Sequence, residues 1–376
     1  MQKLYPDREM YGTVWYPPSF VNLNNTEIWN KKEIGFYLHI PFCTKICKYC
    51  PFNKYAYSED KVCKYVDALL KEIELISKIP YFKNTRVIAG YYGGGTPTSL
   101  KLEQLTKIIN ATKDSFDISP DAEISIEANP DTVKKDVLDE LRSMGVNRIS
   151  FGVQSFNNEK LHLLGRDHKA EDAYRAIEMA QKAGFDNVGI DLLYNVPGQT
   201  LEDWQWELNQ AVGTKVDHIS TLSLFIDPGT GLFNARKEGK IPEQPAGEID
   251  IEMYNLAIKE LTGSGYNLYT MYDFALPGKE CVHHSINWEA PQREYIGIGA
   301  GAYSFINNHI FTNINPLDQY LERLENNELP ISYGQPCSTE DLMSRYMVLG
   351  IYFLKIDKIK FKEIFGVSLE SKYGET

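Results

Sequence analysis

The sequence has few cysteines, no long apolar run and no basic tract. Six cysteines in 376 residues are too few for a disulfide scaffold. Three of them, Cys63, Cys281 and Cys337, stand apart from the others, and we expect each to be a small buried apolar side chain. No run approaches the ~20 apolar residues of a membrane-spanning helix. Acidic residues outnumber basic ones by 51 to 39, and no Lys/Arg cluster marks a nucleic-acid surface. We therefore expect neither a membrane span nor a nucleic-acid partner.

The first twenty residues also lack the apolar segment of a secretory signal, so we expect a cytoplasmic protein. Apolar residues make up 43% of the chain and charged residues 24%, which is ordinary for a globular protein with a large core. The length allows two or three domains of about 150 residues, or one α/β barrel with additions.

From residue 35 onward, short apolar segments alternate with longer segments of helical period. The predicted strands are residues 34–40, 86–92, 122–128, 147–153, 187–194 and 218–225. The predicted helices between them are residues 59–79, 102–114, 132–145, 171–184 and 201–213. Helical crossovers of this length predict a parallel sheet in an α/β fold. Six units are fewer than the eight of a closed barrel, so a partial barrel and a doubly wound sheet both remain open.

After about residue 230 the alternation ends. Residues 236–265 predict a loop followed by a helix, and residues 266–276 and 294–313 predict strands interrupted by glycine. Residues 338–367 predict two helices. A smaller α+β region therefore follows the strand–helix units.

The unusual residues all follow or end predicted strands. They are the three clustered cysteines, the segment GGGTPT (93–98), Glu127, Gln154, Asp191 with Tyr194, and the segment FIDPGT (225–230). In parallel α/β folds, ligands bind beyond the carboxyl ends of the strands. We therefore expect an active site at this rim.

The clustered cysteines are Cys43, Cys47 and Cys50. Thiolates at such short spacing can hold one compact iron–sulfur cluster. Zinc sites with four cysteines usually show two separated pairs, and the sequence has no second pair. A four-iron cluster with three cysteine ligands leaves one iron open to a small molecule. A zinc site made of the three cysteines and His39 is the alternative.

The triple glycine of GGGTPT lets a backbone approach a ligand closely, because glycine has no Cβ. It is neither a Walker loop nor a dinucleotide fingerprint. A tight strand-to-helix turn is the alternative. Glu127 has two interpretations as well: an acceptor for a ribose or an ammonium group, or a solvated loop carboxylate.

The segment HIPFCTKICKYC resembles the Cys-x3-Cys-x2-Cys signature of radical S-adenosylmethionine (SAM) enzymes. Residues 35–335 resemble the subfamily of oxygen-independent coproporphyrinogen III oxidases, with its heme chaperones and class C methyltransferases. The supporting segments are GGGTPT, EISIEANP, NRISFGVQSFN, LLGRDH, IDLLYNVPGQT and GIGAGAYS. The resemblance implies a partial (β/α)6 barrel at residues 35–230 and an extension closing it at 231–335. We expect an N-terminal extension at residues 1–34 and, at 336–376, the start of a helical region that is truncated.

The resemblance also implies a 4Fe–4S cluster on the three cysteines, with SAM on the open iron. A donor such as flavodoxin or ferredoxin would supply the electron that cleaves SAM to methionine and a 5′-deoxyadenosyl radical. The positions that match contacts of this SAM are Tyr37, Gly94 and Glu127. Those that match the surroundings of a second SAM are Tyr49, Gly95, Thr96, Gln154, Arg166 and Asp191. Further implied cofactor contacts are Phe225 and Tyr303, and the implied catalytic residues are Gln154, Arg166 and Asp191.

The departures from the family pattern concern the substrate. Phe52 stands where the oxidases have a further cysteine, which argues against coproporphyrinogen decarboxylation. The chaperones carry the stretch His-Asn-x-x-Tyr-Trp, and HHSINW here keeps His283 and Trp288, with His284 in place of the asparagine. Tyr303 replaces a histidine. Heme ligation by His283 or His284 and two surface histidines in a loop are equal alternatives.

Three functions follow as hypotheses. The favoured one is methyl transfer or alkylation of an aromatic, heteroaromatic or tetrapyrrole small molecule, because the second-site residues are present. The others are a heme chaperone, with heme as a further ligand, and a zinc-structured interaction protein without catalysis. Anaerobic coproporphyrinogen III dehydrogenation is a further alternative to the first.

Overall fold

The computed structural model describes residues 32–374 apart from residues 246 and 290 and the side chain of Trp288. Most of the expected N-terminal extension, residues 1–31, therefore lies outside the described residues. The strands are β1 (Lys32–Ile40), β2 (Phe42–Cys43), β3 (Tyr55–Ala56), β4 (Thr85–Gly94), β5 (Ile118–Ala128), β6 (Arg148–Gln154), β7 (Asn187–Tyr194), β8 (His218–Ser223), β9 (Asn267–Leu268), β10 (Asp273–Ala275), β11 (Glu294–Ile298), β12 (Tyr303–Ile306), β13 (His309–Asn313) and β14 (Ile331–Pro336). The helices are α1 (Glu59–Ser77), α2 (Pro80–Lys83), α3 (Leu102–Ser115), α4 (Lys135–Ser143), α5 (Asn158–Leu164), α6 (Ala170–Lys182), α7 (Leu201–Gly213), α8 (Gly231–Lys237), α9 (Glu248–Gly263), α10 (Val282–Trp288), α11 (Leu317–Glu325), α12 (Thr339–Tyr352), α13 (Lys358–Phe365) and α14 (Leu369–Tyr373).

The six predicted strands form a parallel core in the order β1-β4-β5-β6-β7-β8. This order follows the chain without a reversal, whereas a doubly wound sheet reverses at its switch point. The prediction of a partial six-stranded barrel is therefore confirmed. Strand β7 is buried along nearly its whole length, as expected for a parallel strand that is covered on both faces.

The helices between these strands lie where the hydrophobic period predicts them. On α3 the buried side chains include Leu105, Ile108 and Ile109, which recur with the spacing of one helix face. Helix α7 begins at a capping box, in which Thr200 and Asp203 each accept a hydrogen bond from the other's backbone amide.

The remaining strands extend the same sheet on both sides. Strand β11 pairs in parallel with β1, and β12, β13 and β14 follow it in antiparallel pairs. On the other side β10 pairs antiparallel with β8 and then with β9. In the described residues the sheet stays open, with β9 and β14 as its edges. None of the described helices is both long enough and apolar enough to cross a bilayer.

Two expectations are corrected here. The HHSINW segment is the helix α10, not a loop, and it packs against β1, β4 and β11. Of the three separate cysteines, Cys281 is buried as expected, but Cys337 is only partly buried and Cys63 is exposed. Cys63 follows the buried Val62 on α1, and successive residues on a helix point about 100° apart, so its side chain faces solvent.

Candidate active site

The cysteine loop is fixed to neighbouring segments through its backbone. Lys48 donates its amide hydrogen to Leu164 O (3.0 Å) and accepts from the amide of Leu232 (2.8 Å). At the start of the loop, Phe42 O accepts from the amide of Thr96 (2.8 Å). The loop therefore lies between the segments that follow β4, β6 and β8, at the carboxyl ends of the barrel strands.

The three thiols fit a cluster better than a single zinc ion. A tetrahedral zinc ion needs four ligands, so a fourth side chain would have to join the three thiols. His39 contacts Tyr37 Oη through Nδ1 (2.9 Å) and Asn53 O through Nε2 (3.2 Å), so both ring nitrogens already have partners. The donor set is therefore three thiols without a histidine, which suits a four-iron cluster with one open iron.

Burial also sets the protonation of the thiols when no cluster is bound. Burial raises the pKa of Cys43 to about 11, against the opposing effect of a hydrogen bond from Thr96 Oγ1 (3.8 Å). Burial likewise raises the pKa of Cys50. Both thiols are therefore protonated at neutral pH without a metal partner, and binding a cluster would release their protons.

The glycine segment passes so close to the cysteine loop that side chains would collide. A Cβ on Gly95 would lie 2.7 Å from Phe42 O and 2.9 Å from Cys43 Sγ. Gly94 has φ +122°, which other residues rarely adopt, and its amide donates to Glu127 Oε2 (2.9 Å). Both interpretations of this segment therefore hold. It is a tight turn, and its lack of side chains leaves space beside the cluster ligands.

Glu127 lies inside the barrel on β5 and is not a solvated loop carboxylate. Its other oxygen, Oε1, accepts from Tyr91 Oη (2.9 Å), and the Tyr91 ring stacks on that of Tyr37 at 6.2 Å. Burial, followed by the charge of Asp191, raises the pKa of Glu127 to about 7. We did not predict Tyr91 from the sequence. It lies two residues before Gly93 and therefore on the same face of β4, and this spacing could have identified it as a site residue.

The second group of predicted residues also meets the cluster loop. Arg166 donates to Cys47 Sγ (3.2 Å) and to the carbonyl of Gly152 (2.5 Å). A Cβ on Gly152 would lie 3.0 Å from Gln154 Nε2 and 3.4 Å from Arg166 Nη2, so these two side chains lie side by side. Gln154 has φ +68°, and such strain in a non-glycine residue is typical of functional sites. Burial raises the pKa of the neighbouring Tyr49, while the charge of Arg166 opposes the shift.

Asp191 and Tyr194, which we predicted together at the end of β7, lie in different parts of the structure. Asp191 lies inside the barrel, below the rim, where its Oδ1 accepts from Ser150 Oγ (3.3 Å). Burial raises its pKa, and the nearby charge of Arg148 opposes the shift. Tyr194 is buried against Trp204, with ring centroids 5.4 Å apart, so the structure places it in the core and not at the rim.

Three aromatic side chains are exposed around the cluster loop. They are Phe52 (69% exposed), Phe225 (72%) and Tyr303 (50%). The segment after Phe52 is joined to the turn before Tyr303 by a hydrogen bond from Asn53 Nδ2 to Ala300 O (3.1 Å). Phe225 follows β8, on the side of the loop where Lys48 meets Leu232. These aromatics flank the loop at the mouth of the barrel.

The two adjacent histidines of α10 face the barrel interior. His283 is 2% exposed, and its ring stacks on that of Tyr91 at 4.8 Å. His284 Nδ1 lies 3.3 Å from Asp273 Oδ2. The alternative of two surface histidines in a loop is therefore wrong. We call Arg148, His218, Asp273, His283 and His284 the barrel floor, because Arg148 and His218 are the first residues of their strands.

Comparison with known proteins identifies the family of the chain. Residues 37–210 match the profile of the Radical SAM superfamily. The chain is 35% identical to the heme chaperone HemW of Bacillus subtilis (strain 168) over 342 residues, which cover 90% of this chain and 88% of that protein. It is 31% identical to the oxygen-independent coproporphyrinogen III oxidase of Escherichia coli (strain K12) over 332 residues, which cover 85% of this chain and 72% of that protein.

The fold agrees as well. The solved structure of coproporphyrinogen III oxidase (HemN) from Escherichia coli, a radical SAM enzyme, superimposes with a TM-score of 0.84 at 28% identity, over 96% of this chain and 85% of that one. The chain therefore belongs to the radical SAM superfamily, whose cofactors are a 4Fe–4S cluster and SAM, and within it to the oxygen-independent coproporphyrinogen III oxidase-like subfamily.

Proposed function

We propose that this protein reductively cleaves SAM at a 4Fe–4S cluster and that the molecule it serves is a tetrapyrrole of the heme class. The observation that carries the first part is the set of three thiols beside the amide of Gly94 and the carboxyl of Glu127. The cluster, when bound, supplies the electron that cleaves the sulfonium of SAM. The protein side chains supply binding, orientation and the exclusion of water.

The proposed roles of the protein groups follow from their positions. Cys43, Cys47 and Cys50 hold the cluster. The Glu127 carboxylate, which Gly94 and Tyr91 orient, accepts hydrogen bonds from the amino group or the ribose of SAM. Arg166 donates to Cys47 Sγ and places a positive charge at the cluster ligands.

The tetrapyrrole part of the proposal rests on two observations. The two relatives described above are a heme chaperone and a coproporphyrinogen III oxidase, and both are named for molecules of this class. The exposed aromatics Phe52, Phe225 and Tyr303 flank the barrel mouth, where flat rings can stack on a planar macrocycle. These relatives do not support methyl transfer. Of the functions considered, the binding and delivery of heme agrees best with them. Methyl transfer stays a prediction that S-adenosylhomocysteine formation would test.

Heme ligation by the adjacent histidines is not part of the proposal. His283 is enclosed by Tyr91 and Asn287, and His284 is paired with Asp273 inside the barrel. An iron porphyrin at the mouth would reach either imidazole only after α10 had moved. The tetrapyrrole in the proposal is therefore recognised by its ring faces.

The cluster assignment is tested by three single variants, Cys43→Ala, Cys47→Ala and Cys50→Ala, with Cys63→Ala as the control. Each of the three should abolish the brown chromophore and all SAM cleavage after anaerobic reconstitution, because two thiolates do not hold the cluster. Cys63 is exposed on α1, where its thiol contacts Glu59 and Gln104, so its variant should keep both. Loss of iron in the Cys63 variant would overturn the ligand assignment.

Tetrapyrrole recognition is tested by titrating hemin and following the Soret band. Phe225→Ala should weaken hemin binding about 2- to 12-fold, because one aromatic stacking contact contributes about 0.5–1.5 kcal/mol. Trp206→Ala is the matched control, since Trp206 is also an exposed aromatic (44%) but lies on α7. Equal hemin affinity of wild type and the Phe225 variant would contradict recognition at the mouth.

A further inference from the structure

Three side chains of the barrel floor converge on one point that the proposed function does not use. His218, Asp273 and His284 each offer one ligand atom, and these atoms lie within 4.8 Å of one another. His218 pairs with Gly189, whereas Gln154 at the rim pairs with Leu192. Three residues along a strand correspond to about 10 Å, so this group lies well below the cluster loop.

His218 has the surroundings of a metal ligand. It is fully buried, and its Nε2 lies 2.8 Å from Tyr269 Oη, while its Nδ1 has no protein partner. Tyr269 Oη also accepts from the amide of Cys281 (3.2 Å), which fixes the position of the hydroxyl. Histidines that bind metals usually donate their other ring N–H to an oxygen acceptor, and the hydroxyl of Tyr269 is in that position here, which leaves Nδ1 as the ligand atom.

Asp273 is held in place in the same way. It is fully buried, its Oδ1 accepts from Ser220 Oγ (2.7 Å), and its Oδ2 accepts from Thr270 Oγ1 (2.8 Å). The same Oδ2 lies 3.3 Å from His284 Nδ1. Two hydroxyl groups thus orient the carboxylate towards the imidazole, an arrangement typical of ligating carboxylates.

Several charged groups lie together in the barrel interior. Four carboxyl groups belong to this interior, those of Glu123, Glu127, Asp191 and Asp273, and the guanidinium of Arg148 lies among them. The thiol of Cys281 donates to Glu123 Oε1 (3.3 Å) and adds no positive charge. Buried charges are normally paired or bound to metal, and among these carboxyl groups Asp273 is fully buried.

We propose that His218, Asp273 and His284 bind a divalent transition-metal ion of the zinc type, at a site separate from the iron–sulfur cluster. Two imidazoles and one carboxylate form a ligand set that suits zinc. Three protein ligands leave one coordination position for water or for a group of a bound ligand. His284 stands where the chaperone stretch has asparagine, so that stretch would supply one ligand fewer. A metal here would join α10 to β8 and β10.

The test measures zinc in the cluster-loaded protein. Reconstituted protein is incubated anaerobically with Zn²⁺ and desalted, iron and zinc are counted by mass spectrometry, and zinc affinity is measured against a chromophoric chelator. Wild type should retain about one zinc per chain with its iron content unchanged. The variant Cys43→Ala/Cys47→Ala/Cys50→Ala should also retain about one, which separates this site from zinc captured by the cluster thiols.

Adjacent histidines provide a matched pair of variants. His284→Asn removes a ligand and should weaken zinc binding more than 100-fold, because the loss of an outer partner alone costs about 10- to 100-fold. His283→Asn changes the neighbouring ring, which stacks on Tyr91, and should keep wild-type affinity. Tyr269→Phe removes the outer partner of His218 and should weaken binding about 10- to 100-fold.

Two results would overturn the proposal. One is wild-type protein that retains no zinc, which would make the group a metal-free His–Asp ion pair. The other is equal zinc affinity in wild type and His284→Asn. Iron content and the thermal unfolding curve of each variant show whether it is folded, and Asp273→Asn serves as the second ligand variant if His284→Asn is not.

Discussion

The pH dependence of SAM binding tests the role of Glu127 most sharply. The carboxyl group accepts hydrogen bonds from Tyr91 and from the amide of Gly94, and it must be ionised to accept further bonds from the ammonium group of SAM. Burial and the charge of Asp191 raise its pKa to about 7 in the protein without SAM. Protons and SAM therefore compete for this carboxylate near neutral pH.

The size of the effect follows from the ionised fraction. With a pKa of about 7, roughly a tenth of the Glu127 carboxyl is ionised at pH 6 and roughly nine tenths at pH 8. Apparent affinity scales with the competent fraction, so the Kd for SAM should be about tenfold higher at pH 6 than at pH 8, or about 1.4 kcal/mol weaker. The sign is fixed: protonation removes the acceptor, so binding weakens as the pH falls.

The assay is anaerobic calorimetric titration of the cluster-loaded protein with SAM at pH 6, 7 and 8. Glu127→Gln should bind SAM more weakly and without this pH dependence. Asp191→Asn removes the negative charge that raises the pKa of Glu127, so it should move the midpoint to lower pH. Equal Kd values for wild type at pH 6 and pH 8, with the cluster intact, would refute the assigned role of Glu127.

Two further predictions concern cluster binding and stability. Gly95→Ala places a Cβ 2.7 Å from Phe42 O, where the backbone has no room to yield, so the variant should lose most of its iron on reconstitution. Gly213→Ala meets no atom within 4 Å and should retain it. Burial raises the pKa of Glu72 to about 7 from 4.5, although Tyr320 Oη donates to it (2.6 Å). The fold thus favours the protonated acid, so this group should lower the free energy of unfolding by roughly 3 kcal/mol as the pH rises from about 4 to 8. Denaturant unfolding should show this fall in the free energy of unfolding in wild type but not in Glu72→Gln. Parallel plots of the free energy of unfolding against pH for the two proteins would contradict the prediction.

The parallel core was predictable from the sequence because its strands are short apolar runs separated by helices of clear period. The cluster ligands were predictable too, since Cys43, Cys47 and Cys50 lie within eight positions of one another. Both patterns lie within short stretches of the sequence, so they can be recognised without knowledge of the tertiary structure.

The barrel floor could not be predicted in the same way. Arg148 and His218 begin their strands, where a polar side chain normally reaches solvent, but the structure buries both of them. Helix α10 has seven residues, too few for a helical period to stand out, and its histidines resemble those of a polar loop. The prediction that Tyr194 lies at the rim was wrong for a related reason. Its place at the end of β7 indicates how far along the barrel it lies, but not whether its side chain points to the rim or into the core.

The most direct test of the central claim is one anaerobic incubation of reconstituted protein with dithionite and SAM, with and without hemin. Mass spectrometry would quantify 5′-deoxyadenosine and S-adenosylhomocysteine together, with Cys47→Ala as the blank. The account predicts that wild type forms 5′-deoxyadenosine and that the variant forms none. Protein that carries a full iron–sulfur cluster and binds SAM, yet forms no 5′-deoxyadenosine with or without hemin, would contradict it.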